Sequence, residues 1–406
     1  MFPNVALLDI TPDTGAVLKQ VARNGEGASR QRRGGAHPHS AARQKEEVNA
    51  RLRQGSLARL CCPRTDVPRN MGGWVFPEVA PGSAPSPRGG HAATALDHSR
   101  ILVFGGSDCE PKPFADTWLL ETGDEYRWRH VKSAGAEREQ LVGLSGATLT
   151  TVGDKVYLFG GQEPLTGRVH DDVWELDTET WQWSQVKVSS KPPARHSHCA
   201  GLLHNDSLLV FGGANQETAV LGDVWMFSVQ EHSWYQVDVS GTTFCPREMH
   251  SGVMVDMDTM LIYGGRGFAN RVMCDASLLD CKMMQWRLTA NTPFQRCAHA
   301  AATLGAHSIP NGDRGSGACP AACSVIVHGG FTGEIVESDI ICIDAETLSA
   351  KLVCNGHHGE KDKKIPESRF AHTGISLGMA EAEQGMVVFG GVNAEAAHND
   401  VAVWTM

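Results

Sequence analysis

The sequence predicts an all-β fold, a six-bladed β-propeller closed by an amino-terminal strand, and three observations lead to this prediction. A short apolar stretch ending in a glycine pair occurs six times, and successive copies are 52 to 65 residues apart. An aspartate follows each pair at a nearly fixed distance. The last copy lacks its fourth strand, and one additional strand precedes the first copy. Internal repeats of about fifty residues are typical of propellers, whose blades are stacked copies of one small sheet.

The second copy shows the repeating unit most clearly. Residues 156–159 are apolar and precede Gly160 and Gly161, which predicts a buried strand that stops where the backbone turns sharply. Residues 172–177 alternate between two faces, and a polar turn leads to a further strand with Trp183. Each repeat is therefore predicted to be a meander of antiparallel strands. The glycines that end the second strand are Gly105, Gly106, Gly160, Gly161, Gly212, Gly213, Gly264, Gly265, Gly329, Gly330, Gly390 and Gly391.

Two further residue types recur once in most repeats. An outer-strand tryptophan is predicted to fill the widening wedge between neighbouring blades, because a large aromatic side chain buries about 150–250 Å². The aspartate after each glycine pair is predicted to accept hydrogen bonds from backbone amides where a strand begins. The tryptophans are Trp74, Trp128, Trp183, Trp234 and Trp286, with Leu352 in the remaining repeat; the aspartates are Asp116, Asp172, Asp223, Asp275, Asp339 and Asp400.

The two ends of the repeat array complement each other. Residues 401–404 supply a third strand without a fourth, while residues 74–79 supply a fourth strand with no blade before it. Pairing these two segments would close a ring of six four-stranded blades and remove exposed sheet edges. We therefore assign residues 74–406 to the propeller.

Residues 1–73 form a compositionally different segment. They contain twelve Lys and Arg against six Asp and Glu, so the rest of the chain has a net charge of −16 within the total of −10. Few large apolar residues occur between positions 23 and 64, and such a composition favours a flexible arm. Residues 5–21 resemble half a degenerate repeat. Nucleic-acid binding is expected, if at all, only through this basic arm.

The fifth and sixth repeats are longer than the others. Their insertions, at residues 305–322, 355–367 and 378–385, have the composition of surface loops. Cys319 and Cys323 lie in the first insertion, and His357 and His358 follow Cys354, but neither group has a second ligand pair at the spacing of a structural zinc site. We expect neither a metal nor another cofactor.

Composition favours a soluble protein of a reducing compartment. Hydrophobic residues make up 41% of the chain, yet its apolar runs are short and far below the roughly 20 residues of a membrane helix. The first residues lack a basic and then apolar leader. Twelve cysteines are scattered without a disulfide-like pattern, so free thiols are expected. The predicted location is the cytoplasm, with the nucleus as the alternative.

Arginines recur immediately before the predicted innermost strands, in the pattern Arg-x-x-His. In a propeller these segments and the loops after the glycine pairs emerge on one face, around the mouth of the central channel. Planar guanidinium groups there would suit a carboxylate- or phosphate-bearing partner. The other interpretation is that a residue repeated in most blades bonds neighbouring blades. The candidate partner-binding residues are Arg88, Arg195, Arg247, Arg266, Arg296, Arg369, Gln162, Asn215 and Asn393.

These motifs resemble those of the Kelch-repeat family, in the glycine pair, the offset aspartate, the outer tryptophan and the Pro-Arg-x-x-His opening. The resemblance covers about residues 74–406. Six repeats, amino-terminal closure and an interrupted last blade are similar to intracellular Kelch proteins that act as adaptors or small-GTPase effectors. Two departures stand out. Gly143 and Gly146 occupy the arginine and histidine places of the second repeat, and no tryptophan follows Asp339.

The sequence favours a non-catalytic protein-binding scaffold. It contains no nucleophile elbow, Walker loop, dinucleotide fingerprint or His-Glu-x-x-His motif. Only four tyrosines are present, which argues against a copper site of the kind found in secreted Kelch oxidases. The expected partner is another protein, such as an acidic or phosphorylated segment or a small GTPase. The alternative is a regulatory or substrate-presenting domain of a larger enzyme, because similar Kelch domains are fused to tRNA-modifying methyltransferases.

Overall fold

A computed structural model describes residues 72–110, 112–132, 141–204, 206–241, 244–304, 324–356, 365–378 and 384–405. Most of the predicted basic arm, including its half-repeat, lies outside the described residues. So do all of the first predicted insertion and most of the other two.

The described residues form 25 strands in six antiparallel blades. The first strand, β1 (Gly73–Val75), belongs to the last blade. Blade 1 consists of β2 (Ala92–Ala95), β3 (Arg100–Phe104), β4 (Thr117–Glu121) and β5 (Arg127–Val131). Blade 2 consists of β6 (Thr148–Val152), β7 (Lys155–Phe159), β8 (Val173–Asp177) and β9 (Gln182–Val186). Blade 3 consists of β10 (Cys199–Leu203), β11 (Ser207–Phe211), β12 (Val224–Ser228) and β13 (Ser233–Val237).

The remaining blades carry small additions to this plan. Blade 4 consists of β14 (Ser240–Gly241), β15 (Ser251–Met254), β16 (Thr259–Tyr263), β17 (Asp275–Asp280) and β18 (Gln285–Asn291); β14 lies parallel outside β18. A single 3-10 turn, Phe268–Asn270, follows β16. Blade 5 consists of β19 (Ala300–Leu304), β20 (Ser324–Phe331), β21 (Val336–Asp344) and β22 (Ala350–Cys354). Blade 6 consists of β23 (Thr373–Gly378), β24 (Gln384–Phe389) and β25 (Val401–Thr405), completed by β1.

The innermost strand of each blade contacts the innermost strands of both neighbours, so β2, β6, β10, β15, β19 and β23 form a ring around a central channel. Closure at the seam is as predicted. Trp74 pairs with Trp404 and Val75 with Val403, in antiparallel register. The closing strand is shorter than expected, because Val79 forms a parallel bridge with Tyr126 in blade 1 instead. The predicted six-bladed propeller is confirmed.

Aromatic contacts fill the wedges between blades, as the sequence predicts. Trp234 of blade 3 packs on Phe159 of blade 2 with ring centroids 4.6 Å apart, and Trp286 of blade 4 packs on Phe211 of blade 3 at 5.4 Å. The same contact joins Trp128 to Phe389 across the seam between blades 6 and 1. Each apolar second strand is buried on both faces because neighbouring blades cover it.

The glycine pairs hold the blades together through their backbone. Gly160 and Gly161 have φ values of 65° and 101°, in the region that side chains disfavour. A Cβ atom at Gly160 would lie 2.5 Å from the carbonyl oxygen of Arg195 in the next blade. That same carbonyl accepts a hydrogen bond from Gly161 N–H at 2.9 Å. Glycine is therefore required both for the turn and for the close approach of the next blade.

No helix among the described residues has the length and apolar character needed to cross a membrane.

Candidate functional site

The segments before the innermost strands and the loops after the glycine pairs lie side by side. In blade 1 Gly89 forms a bridge with Ser107, and in blade 4 Glu248 does so with Arg266. The equivalent bridge occurs in every blade. We call the side of the ring where these segments meet the glycine-pair face. The turns of the hairpins β4–β5, β8–β9, β12–β13 and β17–β18 lie on the opposite face.

Four of the predicted arginines are buried in identical environments. The guanidinium group of Arg247 donates to Asp275 through two nitrogens, at 3.0 and 2.8 Å, and also to the carbonyl oxygen of Gly264 at 2.8 Å. Its Nε donates to the carbonyl of Cys245 at 3.1 Å. Arg247 has no exposed surface. The same four contacts are made by Arg88, Arg195 and Arg369 in their own blades.

Blade 5 carries a distorted version of this pair. Arg296 donates to Asp339 at 2.5 Å through one nitrogen, and its Nε has no hydrogen-bond partner. The other oxygen of Asp339 is also buried without a partner. Burial raises the pKa of the Asp339 carboxyl to about 6 despite the adjacent arginine. The distortion accompanies a different loop, because β20 and β21 continue past the glycine pair as one hairpin with a bulge.

Blade 2 has no arginine at this place. Gly106 N–H donates to the carbonyl oxygen of Leu144, as Gly161 does to that of Arg195. The alignment of Gly143 and Gly146 with the arginine and histidine was therefore wrong by one residue; Leu144 and Ala147 occupy those places. Gly146 has a different role: its N–H donates to the carbonyl oxygen of Gly90, and its own carbonyl oxygen accepts from Ser197 in the next blade.

These contacts favour the second interpretation of the arginines, that they bond parts of the propeller. A guanidinium group without exposed surface has no atom available to a partner in this conformation. The aspartates also need correction, because Asp116, Asp223 and Asp275 accept mainly from arginine side chains and not from backbone amides at a strand start. In three blades the two residues lie 28 positions apart, a recurrence that the sequence already contains.

The other four predicted residues also have partners within the protein. Arg266 donates twice to Glu248, at 3.0 and 2.7 Å, on the glycine-pair face. Gln162 donates to the carbonyl of Gly167. Asn215 and Asn393 accept from backbone amides two to four residues later, so they shape the loops that follow their glycine pairs. Whether any of the nine contacts a partner stays a prediction.

A closed ring of backbone hydrogen bonds encircles the channel on this face, and sequence reasoning missed it. Each of six residues, one per blade, donates its N–H to the carbonyl oxygen of the equivalent residue in the preceding blade, at 2.7 or 2.8 Å. All six have a positive φ between 51° and 69°, although only two are glycines. We call them the mouth ring: Gly90, Gly146, Ser197, Met249, Ala298 and Ala371.

The mouth ring forms part of a cavity of about 150 Å³ that we call the mouth cavity. Polar residues of blades 1 to 3 line one side, among them Ser107, Ser145 and Gln162. The hydroxyl groups of Ser107 and Ser145 are buried and have no hydrogen-bond partner. A buried hydroxyl without a partner is costly, so the polar side of this cavity suits a ligand group or water that can bond it.

The repeated histidines lie between blades, next to the mouth ring. His198 packs on Phe159 and His250 on Phe211, each at about 5 Å between ring centroids. Burial lowers the pKa of His91 and His299 to about 3, with the neighbouring arginine adding to the effect. These histidines are therefore neutral, as expected of groups that serve the core.

Three large apolar side chains stand exposed on the loops of the glycine-pair face. Phe268, in the 3-10 turn of blade 4, is 91% exposed; Leu165 of blade 2 is 69% and Ile335 of blade 5 is 51% exposed. Each belongs to a loop that follows a glycine pair. A groove between the blade 4 and blade 5 loops, lined by Asn270, Arg271 and Glu334 among others, lies beside two of them. Exposed apolar groups with a polar surround are typical of protein-binding surfaces.

Within the described ranges, no group of three or more histidine, cysteine or acidic side chains is placed to hold a metal ion.

Comparison with known proteins places these features in a family. A family model described as the KLHDC2/KLHL20/DRC7 Kelch-repeats domain matches residues 70–256 and 146–309. Acyl-CoA-binding domain-containing protein 4 of Arabidopsis thaliana is 24% identical over 79% of this chain and 45% of its own length. Adagio protein 3 of the same plant is 27% identical over 67% of this chain and 42% of its own. An F-box/kelch-repeat protein of Arabidopsis is 26% identical over 49% and 44%, so the chain spans less than half the length of these relatives.

Proposed function

The chain belongs to the Kelch-repeat family, and from this premise we propose that it is a non-catalytic adaptor that binds another protein through the glycine-pair face. Its fold is that of a protein-interaction propeller. The observation that carries the choice of face is the exposed apolar set Leu165, Phe268 and Ile335, which lie on loops of the glycine-pair face. Exposed apolar side chains of this kind gain most when a partner covers them.

The buried arginines have a supporting part in this proposal. By bonding the glycine carbonyl and the aspartate of one blade, Arg88, Arg195, Arg247 and Arg369 fix the two ends of the loop that would meet the partner. Loops held in this way lose less entropy when a partner binds. A small GTPase or an acidic or phosphorylated segment as the partner stays a prediction, and the ion-paired arginines lend it no support.

The test is affinity capture followed by mass spectrometry with the full chain. Replacing Phe268 and Ile335 together by Glu places two charges on the proposed contact surface. We expect captured partners to fall at least tenfold, because interface centres exclude unpaired charges. Met283→Glu is the matched control, since Met283 is 67% exposed but lies in the β17–β18 turn on the opposite face. Equal capture by the double variant and the native chain contradicts the choice of face.

A second candidate is a propeller that serves a larger protein, such as a tRNA-modifying methyltransferase. The greater length of the relatives supports this candidate, because this chain covers only 42% of the length of Adagio protein 3. Mapping the transcript upstream of Met1 tests it, because an in-frame catalytic domain would replace the stand-alone adaptor. For either candidate we propose the cytoplasm. Among the described residues Cys199, Cys281 and Cys297 are free thiols, as a reducing compartment would leave them.

A further inference from the structure

Blade 2 differs from its neighbours at one buried place, and the difference creates a site. Blades 1, 3, 4 and 6 each hold an arginine at the place that Leu144 occupies here. Leucine lacks a guanidinium group, so the acceptors that bind this group elsewhere have no such donor in blade 2. A cavity of about 200 Å³ adjoins Leu144.

The three kinds of acceptor that bind arginine in the other blades all line this cavity. In blade 3 they are the carboxylate of Asp223, the carbonyl of Gly212 and the carbonyl of Pro193, two residues before the arginine. The equivalents in blade 2 are Asp172, Gly160 and Val142, and each of them borders the cavity. Asp172 is also about as exposed as its counterparts, with 22% of its side-chain surface accessible compared with 21% for Asp223.

From this correspondence we propose that the cavity is a binding site for a guanidinium group, which an arginine side chain of a partner protein would supply. The geometry of the acceptors is set by the same fold that binds guanidinium four times within this chain. The proposal rests on the proposed function for the source of the arginine, because the cavity lies among the loops of the glycine-pair face. We call it the blade 2 socket, bordered by Val142, Leu144, Gly160, Glu163, His170 and Asp172.

The carboxylates at the socket attract cations, and the chain's own Arg168, which borders the cavity, is one of the cations near Glu163. Glu163 and Asp172 already attract the chain's own cationic groups, since Lys191 donates to Asp172 at 2.7 Å and His170 bonds Glu163 at 2.9 Å. The ring of His170 also lies 3.6 Å from Asp172. Asp172 and Glu163 raise the pKa of His170, so these carboxylates stabilise positive charge between them. A planar guanidinium can satisfy both oxygens of one carboxylate, which the single Nζ of Lys191 cannot do.

The blade 2 socket opens to solvent between two exposed residues, so the side chain of a partner could enter it. Val142 and Arg168 both border the cavity and are exposed. Trp174 and Leu144 form its apolar wall, against which the methylene groups of an arginine can pack. Lys191 contacts both Asp171 and Asp172, so it can stay on Asp171 when another cation takes Asp172.

A titration of the full chain with N-acetylarginine methylamide tests the proposal, followed by calorimetry or NMR. N-acetylcitrulline methylamide is the matched control, since it has nearly the same shape and no charge. We expect the arginine compound to bind with a Kd on the order of 1 mM, as befits a small ligand with few atoms, and the citrulline compound at least tenfold more weakly. Equal binding of the two compounds, or no binding of either, overturns the proposal.

Variants of the chain locate the site. Leu144→Arg supplies the missing group from within, so we expect it to abolish binding of the arginine compound and to raise the Tm by a few degrees. Asp172→Asn is expected to weaken binding at least tenfold, and Lys191→Gln to strengthen it several-fold by removing a competitor. If Leu144→Arg does not fold, Asp172→Asn decides. Native-like binding by a folded Leu144→Arg or by Asp172→Asn overturns the assignment to blade 2.

The outcome is separable from that of the proposed function. Partner capture lost in the Phe268 and Ile335 double variant but kept in Leu144→Arg would uphold the adaptor and refute the use of the socket by that partner. Capture lost in both supports both.

Discussion

Arg247 shows how much of this propeller depends on single buried side chains. It bonds Asp275, the carbonyls of Gly264 and Cys245, and its guanidinium carbon lies 3.7 Å from the centre of the Phe244 ring. One side chain therefore ties together the start of an innermost strand, the end of the next strand and the start of the third.

Arg247→Ala is expected to lower the free energy of unfolding by about 3 kcal/mol, because it leaves Asp275 and two carbonyls without their donor. Urea unfolding followed by tryptophan fluorescence measures the change. Arg127→Ala is the control, since that arginine is 64% exposed and its pair with Glu125 is expected to contribute less than about 1 kcal/mol. Similar losses for the two variants would contradict a structural role for the buried pair.

The buried histidines predict how stability depends on pH. His91, His299 and His328 have a pKa lowered to about 3, chiefly by burial, and burial also lowers the pKa values of His198, His250 and His372 well below the ordinary 6.5. Below pH 6.5 the unfolded chain binds protons at these sites and the folded chain does not. Stability is therefore fully present above 6.5 and falls as the pH drops towards 3, by about 1.4 kcal/mol per unit for each histidine.

Urea unfolding at pH 7.5, 6.5 and 5.5 checks this dependence. His299→Asn should make the loss of stability with falling pH smaller by about one histidine's share. Two groups act in the opposite direction, because the pKa values of Asp339 and His170 are raised in the folded chain, but they are outnumbered. Stability that stays constant or rises between pH 6.5 and 5.5 would show that the buried imidazoles are not kept neutral.

The sequence left two interpretations of the repeated arginines open. Arg-x-x-His recurred visibly, but recurrence alone fits either a partner or a neighbouring blade. What decides is the depth of the side chain, which depends on how the next strand folds over it. The distance of 28 residues between Arg88 and Asp116, repeated in two other blades, was the available signal. Unpartnered hydroxyls such as that of Ser107 had no signal at all, because their environment is built by loops from different repeats.

The mouth ring is the element whose geometry conflicts most with its sequence. Ser197, Met249, Ala298 and Ala371 all adopt the left-handed conformation that glycine has at the two other places. The left-handed conformation costs a residue with a side chain about 1–2 kcal/mol of conformational free energy. The hydrogen bond to the next blade offsets this cost. Sequence reasoning could not find this ring, since its members share a conformation and not a residue type.

Met249→Gly is expected to raise the free energy of unfolding by up to about 1 kcal/mol, because glycine removes the strain at φ 54° at a smaller entropic cost. Met249→Val should instead lower stability, since a branched side chain is strained further at positive φ. Thermal unfolding of the two variants beside the native chain measures both. A loss with glycine as large as that with valine would mean that the side chain matters more than the backbone.

Most elements of the blades were predictable because their signals are local. Four apolar residues before a glycine pair determine a buried strand wherever they occur, and the observed strands β7 and β11 coincide with these runs. The one misplaced register, in repeat 2, arose where the local signal was absent. Leu144 looks like an ordinary loop residue, and only its backbone bond to Gly106 shows which place it holds.

The whole molecule is a ring closed by a short seam. Strand β1 contributes only three residues, yet Trp74 packs against Trp404 at 5.5 Å and against His328 of blade 5 at 4.9 Å. The sequence predicted this closure from the number of strands at its two ends. The last repeat lacks a fourth strand and one strand precedes the first repeat, so pairing the two completes six four-stranded blades. The seam is therefore one of the shortest strand pairings of the described residues and the one on which closure of the ring depends.

Trp74→Ala is expected to lower the free energy of unfolding by about 3 kcal/mol, as for other large aromatic truncations in a core. Hydrogen exchange should also accelerate in β25, which pairs with β1, and in β20, whose His328 contacts Trp74. Tyr235→Ala, at a half-exposed position on the outer strand of blade 3, is the control and should leave exchange at the seam unchanged. Acceleration confined to β1 would show that the ring holds without its closing strand.

The pairing of residues 73–75 with residues 403–405 has a consequence during synthesis. On the ribosome β1 emerges before the other strands of the described residues and its partner β25 emerges after them, so blade 6 cannot form until residue 405 has left the exit tunnel. Until then β1 has no partner strand and β24 has an open edge. A premature stop codon before β25 would remove the strand that pairs with both β1 and β24 and leave a product that no longer closes.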